Sequence, residues 1–235
     1  MTENKKFLFL RLQPGITTKH MLAFYFGAFV TIGFAVLINT LQPYLFSNFL
    51  GLNYLQQGPT AGKATVAGEI ILIPMVALWG LGSDRLGRRN VYVWGLLIVG
   101  LGFGLLPLAE TTYQLFAYRM LWALGAAAAT GMLATLLGDY VIDADRGKAT
   151  GLMGVCNGMG AATMGVLGGK IPGWLNSSSY ATADGRGEGW FTYLLVAAIA
   201  VFSALLMWRG LAGKETQRKN EENMPLGQLM REGVG

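Results

Sequence analysis

Gly80, Asp84, Arg85, Gly87, Arg88 and Arg89 stand in the run WGLGSDRLGRRN, where an acid and three guanidiniums are spaced by glycines between two long apolar stretches. A set of this kind can form charge-assisted ion pairs and place a charge at a helix end. Basic residues alone would be expected beside a membrane segment. The acid and the glycine spacing need a further reason. Two more ionisable residues, Glu69 and Arg119, fall inside apolar stretches. An unpaired charge at the bilayer centre costs about 2.5 to 3.5 kcal/mol, so both are expected to face a polar interior. Bond-breaking chemistry has little to build on. A single His20 and a single Cys156 leave no catalytic triad, no multi-thiolate metal site and no disulfide, and no cofactor is implied.

The elements that must position these charges are apolar helices. Hydrophobic residues make up 53% of the 235, charged residues only 13%, and mean hydropathy is +0.43. About 20 residues at 1.5 Å each cross the hydrocarbon core. Six candidate spans lie near 21–49, 65–81, 91–109, 113–137, 149–169 and 190–208. The expected fold class is therefore an all-α membrane protein with six transmembrane helices. Its divisions are an N-terminal segment 1–20, a six-helix bundle 21–209 and a linker-like tail 210–235. With both termini cytoplasmic, 14 basic residues fall inside and three, Lys63, Lys170 and Arg186, fall outside. That bias follows the positive-inside rule, so the net charge of +5 reports topology and a lipid-bilayer partner, with no nucleic-acid partner. A multi-pass protein of the plasma membrane, in a bacterium the inner membrane, is expected.

Inside the spans, spacing groups residues onto faces. Arg119 and Thr130 lie within about 20° of one line on the fourth span, with Asp139 on its opposite side. On the first span Thr31, Asn39 and Gln42 share an arc of about 80°, with Pro43 able to kink the helix beside them. Glu69 and Arg119 are placed at similar depths, as a buried pair, as members of one polar network, or as separate snorkelling side chains. Glu69, Arg119, Thr130, Thr31, Asn39 and Gln42 are the candidates for a substrate or proton path. Glycines mark the fifth span: Gly147, Gly151, Gly154, Gly158, Ala161, Gly165 and Gly168 recur every three or four residues on one side of a helix. Small residues let helix backbones approach closely in lipid. The stripe serves either packing within the bundle or a contact with a second six-helix unit.

The spacing Gly80, Asp84, Arg85, Gly87, Arg88, Arg89 resembles the signature loop of the major facilitator superfamily. The stretch from Arg119 through MLWALGAAAA is similar to the family's fourth-helix pattern, and GDYVIDADRGKATGLMG to its turn between helices 4 and 5. GVLGG from Gly165 resembles the antiporter motif of helix 5, with Val166 at the proline position. The resemblance implies half of such a transporter, built of two inverted three-helix repeats. It implies alternating-access transport of a small solute, with Asp84 capping a helix of the opposite half and Arg88 paired to Asp139. The signature loop then acts as a conformational latch. A second six-helix half is required, either as a covalent continuation or as another copy in a homo-oligomer. The remaining alternative is a half-sized relative acting as a self-associating transporter or as a non-transporting scaffold.

Overall fold

The computed structural model describes residues 6–175, 182–183 and 186–213. Residues 1–5 of the N-terminal segment, 176–181, 184–185 and the tail from 214 lie outside the described residues. The chain begins with a two-stranded hairpin, β1 (Lys6–Phe7) and β2 (Leu10–Arg11). Helices follow: α1 (Thr18–Thr40), α2 (Gln42–Asn48), α3 (Tyr54–Leu86), α4 (Arg88–Leu105), α5 (Thr112–Tyr140), α6 (Arg146–Leu175) and α7 (Arg186–Gly210). Among the described residues, five stretches are long and apolar enough to cross a membrane: Thr18–Asn48, Tyr54–Leu86, Arg88–Leu108, Thr112–Tyr140 and Arg186–Gly210. The sixth helix, α6, has 30 residues, but its glycines and Asn157 dilute its hydropathy below theirs.

Local chemistry sets the boundaries. Pro43 falls in the first turn of α2, where its missing N–H costs nothing, and the apolar run breaks at Leu41 into α1 and α2. Asn53 caps α3: its Oδ1 accepts from Gln56 N–H at 3.0 Å while Gln56 Oε1 accepts from Asn53 N–H at 3.1 Å. That cap starts α3 at Tyr54, well before the boundary near 65 read from hydropathy, because Gly58, Pro59 and Gly62 hide a helical turn in a weakly apolar stretch. At 33 residues, α3 is about 50 Å long and overshoots the hydrocarbon core. Gly87 separates α3 from α4 at φ 87°, a conformation that only glycine adopts without strain.

Packing follows an internal two-fold relation. Exchanging α1 with α5, α3 with α6 and α4 with α7 turns the extensive α1·α6 contact into the α5·α3 contact and maps α4·α7 onto itself. This is the arrangement of two inverted three-helix repeats. The match is incomplete: α4 packs more closely on α5 than α7 does on α1. Glycine explains the tight crossing, since a Cβ at Gly125 would sit 2.6 Å from the Gly95 carbonyl oxygen. The core belongs to α1, α4, α5 and α7. By contrast, α3 buries only Ala64, Gly68 and Ser83, and α6 only Ala149, Gly160, Gly168 and Pro172.

Candidate functional site

The signature loop lies at the end of the bundle that carries the described terminal segments, close to Gly213 and the α5–α6 turn. Arg88 opens α4 and reaches across to α5, where it forms an ion pair with Asp139 and donates to the Thr135 carbonyl at 3.3 Å. Asp84 stands one helical turn earlier, 4.0 Å from the other Arg88 nitrogen and 71% exposed. The guanidinium thus bridges a half-buried and an exposed carboxylate. Glycine makes the reach feasible, because the turn at Gly87 places the start of α4 beside the end of α5. Gly80 accepts a 2.7 Å hydrogen bond from Ser83 Oγ in the last turns of α3. Arg85 is exposed, and Arg89 packs its guanidinium against Gly213.

A second ion-pair cluster at the same end was missed by the sequence reading. Asp145, nearly fully buried, accepts from Arg11 Nε at 2.8 Å, Arg11 Nη2 at 3.3 Å, Arg11 N–H at 3.1 Å and Lys148 Nζ at 3.1 Å. The Arg11 hydrogen bonds hold its carboxyl well below the usual carboxylate range, and the same pair raises Arg11. They fasten the β1–β2 hairpin to the α5–α6 turn, helped by the Leu12–Val141 bridge and a 3.0 Å bond from Gln13 N–H to the Tyr140 carbonyl. The acids of VIDADRGK were visible in the sequence. Their partner, 134 residues away, was not.

Among the interior candidates, the structure pairs Arg119 with Asn39: Nη2 donates to Asn39 Oδ1 at 2.6 Å, and the guanidinium lies 5.3 Å from the Trp122 ring centroid. Glu69 is at the same level, since Gly68 packs against the Arg119 stem, yet Glu69 is exposed. Among the described residues no Glu69–Arg119 ion pair lies within 4.0 Å. The hydrogen-bond partner of Arg119 is instead an amide on α1. Thr31 is buried and hydrogen-bonds Tyr92 at 2.6 Å inside the α1–α4 contact, away from Asn39. Gln42 is buried beside Arg119 in a cavity shared with Tyr193. Thr130 returns its hydroxyl to the Ala126 carbonyl at 2.7 Å. His20 accepts from Thr17 N–H at 3.3 Å and so caps α1.

The glycine stripe divides. Gly165 and Gly168 press on α1, where added Cβ atoms would lie 3.2 Å from Val36 and 2.0 Å from Leu37. Ala161, between the two stretches, is half-buried. Gly147, Gly151, Gly154 and Gly158 meet nothing within 4 Å. Gly160, outside the stripe, comes equally close to backbone, with the Phe29 carbonyl oxygen 2.0 Å from where a Cβ would lie.

Comparison with known proteins agrees with this architecture. Residues 24–233 match the family described as Major Facilitator Superfamily. The chain is 26% identical over 179 residues to the multidrug transporter protein MdtP of Bacillus subtilis, covering 76% of this chain and 30% of that one. It is 32% identical over 102 residues to the class E tetracycline resistance protein of Escherichia coli, covering 43% and 24% respectively. It therefore spans less than a third of the length of these relatives. Among solved structures, the xylose transporter XylE of E. coli in an inward-open conformation superimposes with a TM-score of 0.64 at 17% identity, over 90% of this chain and 54% of that one. The POT family transporter PepTSo gives a TM-score of 0.64 at 16% identity, over 84% and 39%. With a six-helix bundle of inverted repeats and a family match over most of its length, this chain is a multi-pass membrane protein that belongs to the Major Facilitator Superfamily.

Proposed function

We propose that this chain is the N-terminal half of a secondary transporter that moves a small solute by alternating access. A second six-helix unit, continuous with it or separate, covers α3 and α6. The observation that carries this reading is the uneven burial of the bundle. Two symmetry-related helices, α3 and α6, leave most of their apolar surface uncovered while the other four long helices share a core. One side of each therefore suits a helical partner. The end bearing Arg88, Asp84 and Asp139 faces the cytoplasm by the basic-residue bias. There Asp84, exposed and held near Arg88, is free to cap a helix of the second unit. An anion at a helix N-terminus is worth about 0.3 to 1 kcal/mol when exposed, enough to bias a nearly balanced equilibrium. The substrate face comprises Asn39, Arg119 and Thr130, and Glu69 is the candidate proton carrier because it is the acid well inside a span.

The relatives, multidrug and tetracycline resistance proteins among them, suggest export of amphiphilic solutes. Transport by the assembled protein in proteoliposomes, scored over a panel of amphiphilic drugs and organic anions, tests the reading. Gradient-driven movement of at least one solute is expected, with its pH dependence flattened by Glu69→Gln. An assembled protein that moves no solute would favour a scaffold, and an unchanged pH profile in the variant would remove Glu69 from the proton path.

A further inference from the structure

Arg119 is 7% exposed, and its neighbours offer it dipoles in place of a full negative charge. Asn39 supplies an amide oxygen at 2.6 Å and Trp122 a ring face. Glu69 lies beyond ion-pair distance of it among the described residues. Beside the guanidinium lies a small cavity walled by Ile38, Leu45, Leu115 and Tyr193. Gln42 also lines it, is 8% exposed, and has a buried Nε2 with no hydrogen-bond partner. Tyr193 turns its proton away, donating to the Leu41 carbonyl at 3.1 Å. The cavity therefore presents a cation and an unsatisfied donor against apolar walls.

A buried donor left unmade costs about 1 to 3 kcal/mol, and a buried charge costs more unless it is compensated. Water in the cavity would satisfy the amide and leave the guanidinium without an anion in direct contact. A compact anion would satisfy both. We propose that this cavity binds a small monovalent inorganic anion of chloride size, held between the Arg119 guanidinium and Gln42 Nε2. Its apolar walls exclude anions with their own extended hydration or bulk. The bound anion neutralises Arg119 and fixes the junction of α1 and α2 against α5 and α7.

Thermal unfolding of the full 235-residue chain in a neutral detergent tests this, with sodium chloride exchanged for sodium gluconate at constant ionic strength. The unfolding midpoint is expected to rise saturably with chloride or bromide and to stay unchanged with gluconate. Arg119→Gln should abolish the response. Gln42→Leu, which nearly preserves volume, should raise the half-saturating chloride concentration about tenfold, the worth of one charge-assisted hydrogen bond. The exposed Arg146→Gln should leave the response intact. Should Arg119→Gln fail to fold, saturable binding of radioactive chloride to the unaltered chain, displaced by bromide and weakened in Gln42→Leu, carries the same decision. Absence of any halide-specific shift, or a shift unchanged in Gln42→Leu, overturns the proposal. So does stabilisation by acetate without stabilisation by halide.

Discussion

Gly160 and Gly158 stand two residues apart on α6 and meet different surroundings. A Cβ at Gly160 would lie 2.0 Å from the Phe29 carbonyl oxygen, whereas none of the neighbouring atoms comes within 4 Å of that position at Gly158. The first is a glycine because α1 leaves no room for anything else. Nothing among the described residues demands the second, nor Gly147, Gly151 and Gly154 on the same side of the helix. Lipid does not select for small residues, because its tails pack equally well against larger apolar groups. The open glycines fit an account in which this side of α6 meets the backbone of a second helical unit.

The largest expected effect separates the two positions. Gly160→Ala forces the α1 backbone to move and is expected to destabilise the chain by about 1 to 3 kcal/mol, read as a fall in the unfolding midpoint. Gly158→Ala is expected to leave that midpoint level or slightly higher, because alanine favours helix by up to about 1 kcal/mol. Equal losses at the two sites would erase the distinction between packed and open glycine.

A smaller effect is expected at the signature loop. Arg88→Gln strips the half-buried Asp139 of its cation and is expected to cost about 1 to 2 kcal/mol in unfolding free energy. Exchanging the charges, Arg88→Asp with Asp139→Arg, should recover part of it. If the double variant is no better than the single one, the Arg88–Asp139 contact is incidental.

Spacing made much of this legible, and distance hid the rest. The apolar runs pointed to six helices, the Gly-Asp-Arg-Gly-Arg-Arg spacing marked the α3–α4 turn, and the family resemblance it carries implied the pairing of Arg88 with Asp139. The start of α3 was obscured because Pro59 and flanking glycines lower hydropathy without stopping a helix capped by Asn53. Arg119 stood out as an interior charge, yet whether Glu69 touches it was left open: depth along a helix can be counted from sequence, but rotation of α3 about its axis cannot. Thr31 shared an arc with Asn39, and only the packing of α4 reveals that it serves Tyr92. Arg11 and Asp145 are too far apart in sequence for any local pattern to join them.

The mildest test concerns that last pair. Asp145 is held below its ordinary range by Arg11. A depressed folded-state pKa adds stability that is present above the unfolded value of about 3.9 and is lost as pH falls below it. Amide exchange in residues 6–12 should therefore stay slow at neutral pH and quicken only under acid conditions below about pH 4. Asp145→Asn should quicken it at neutral pH, where the carboxylate is charged. Protection that ignores both acid and the substitution would mean that apolar packing alone docks the hairpin.

The account stands most directly on what touches the open side of α6 in the membrane. A photoreactive side chain placed at Gly158 is expected to form a protein adduct with a second six-helix unit, within a longer polypeptide or from another chain. The same probe at Trp94, an exposed α4 position, should capture lipid. Lipid capture alone at both positions would contradict the account.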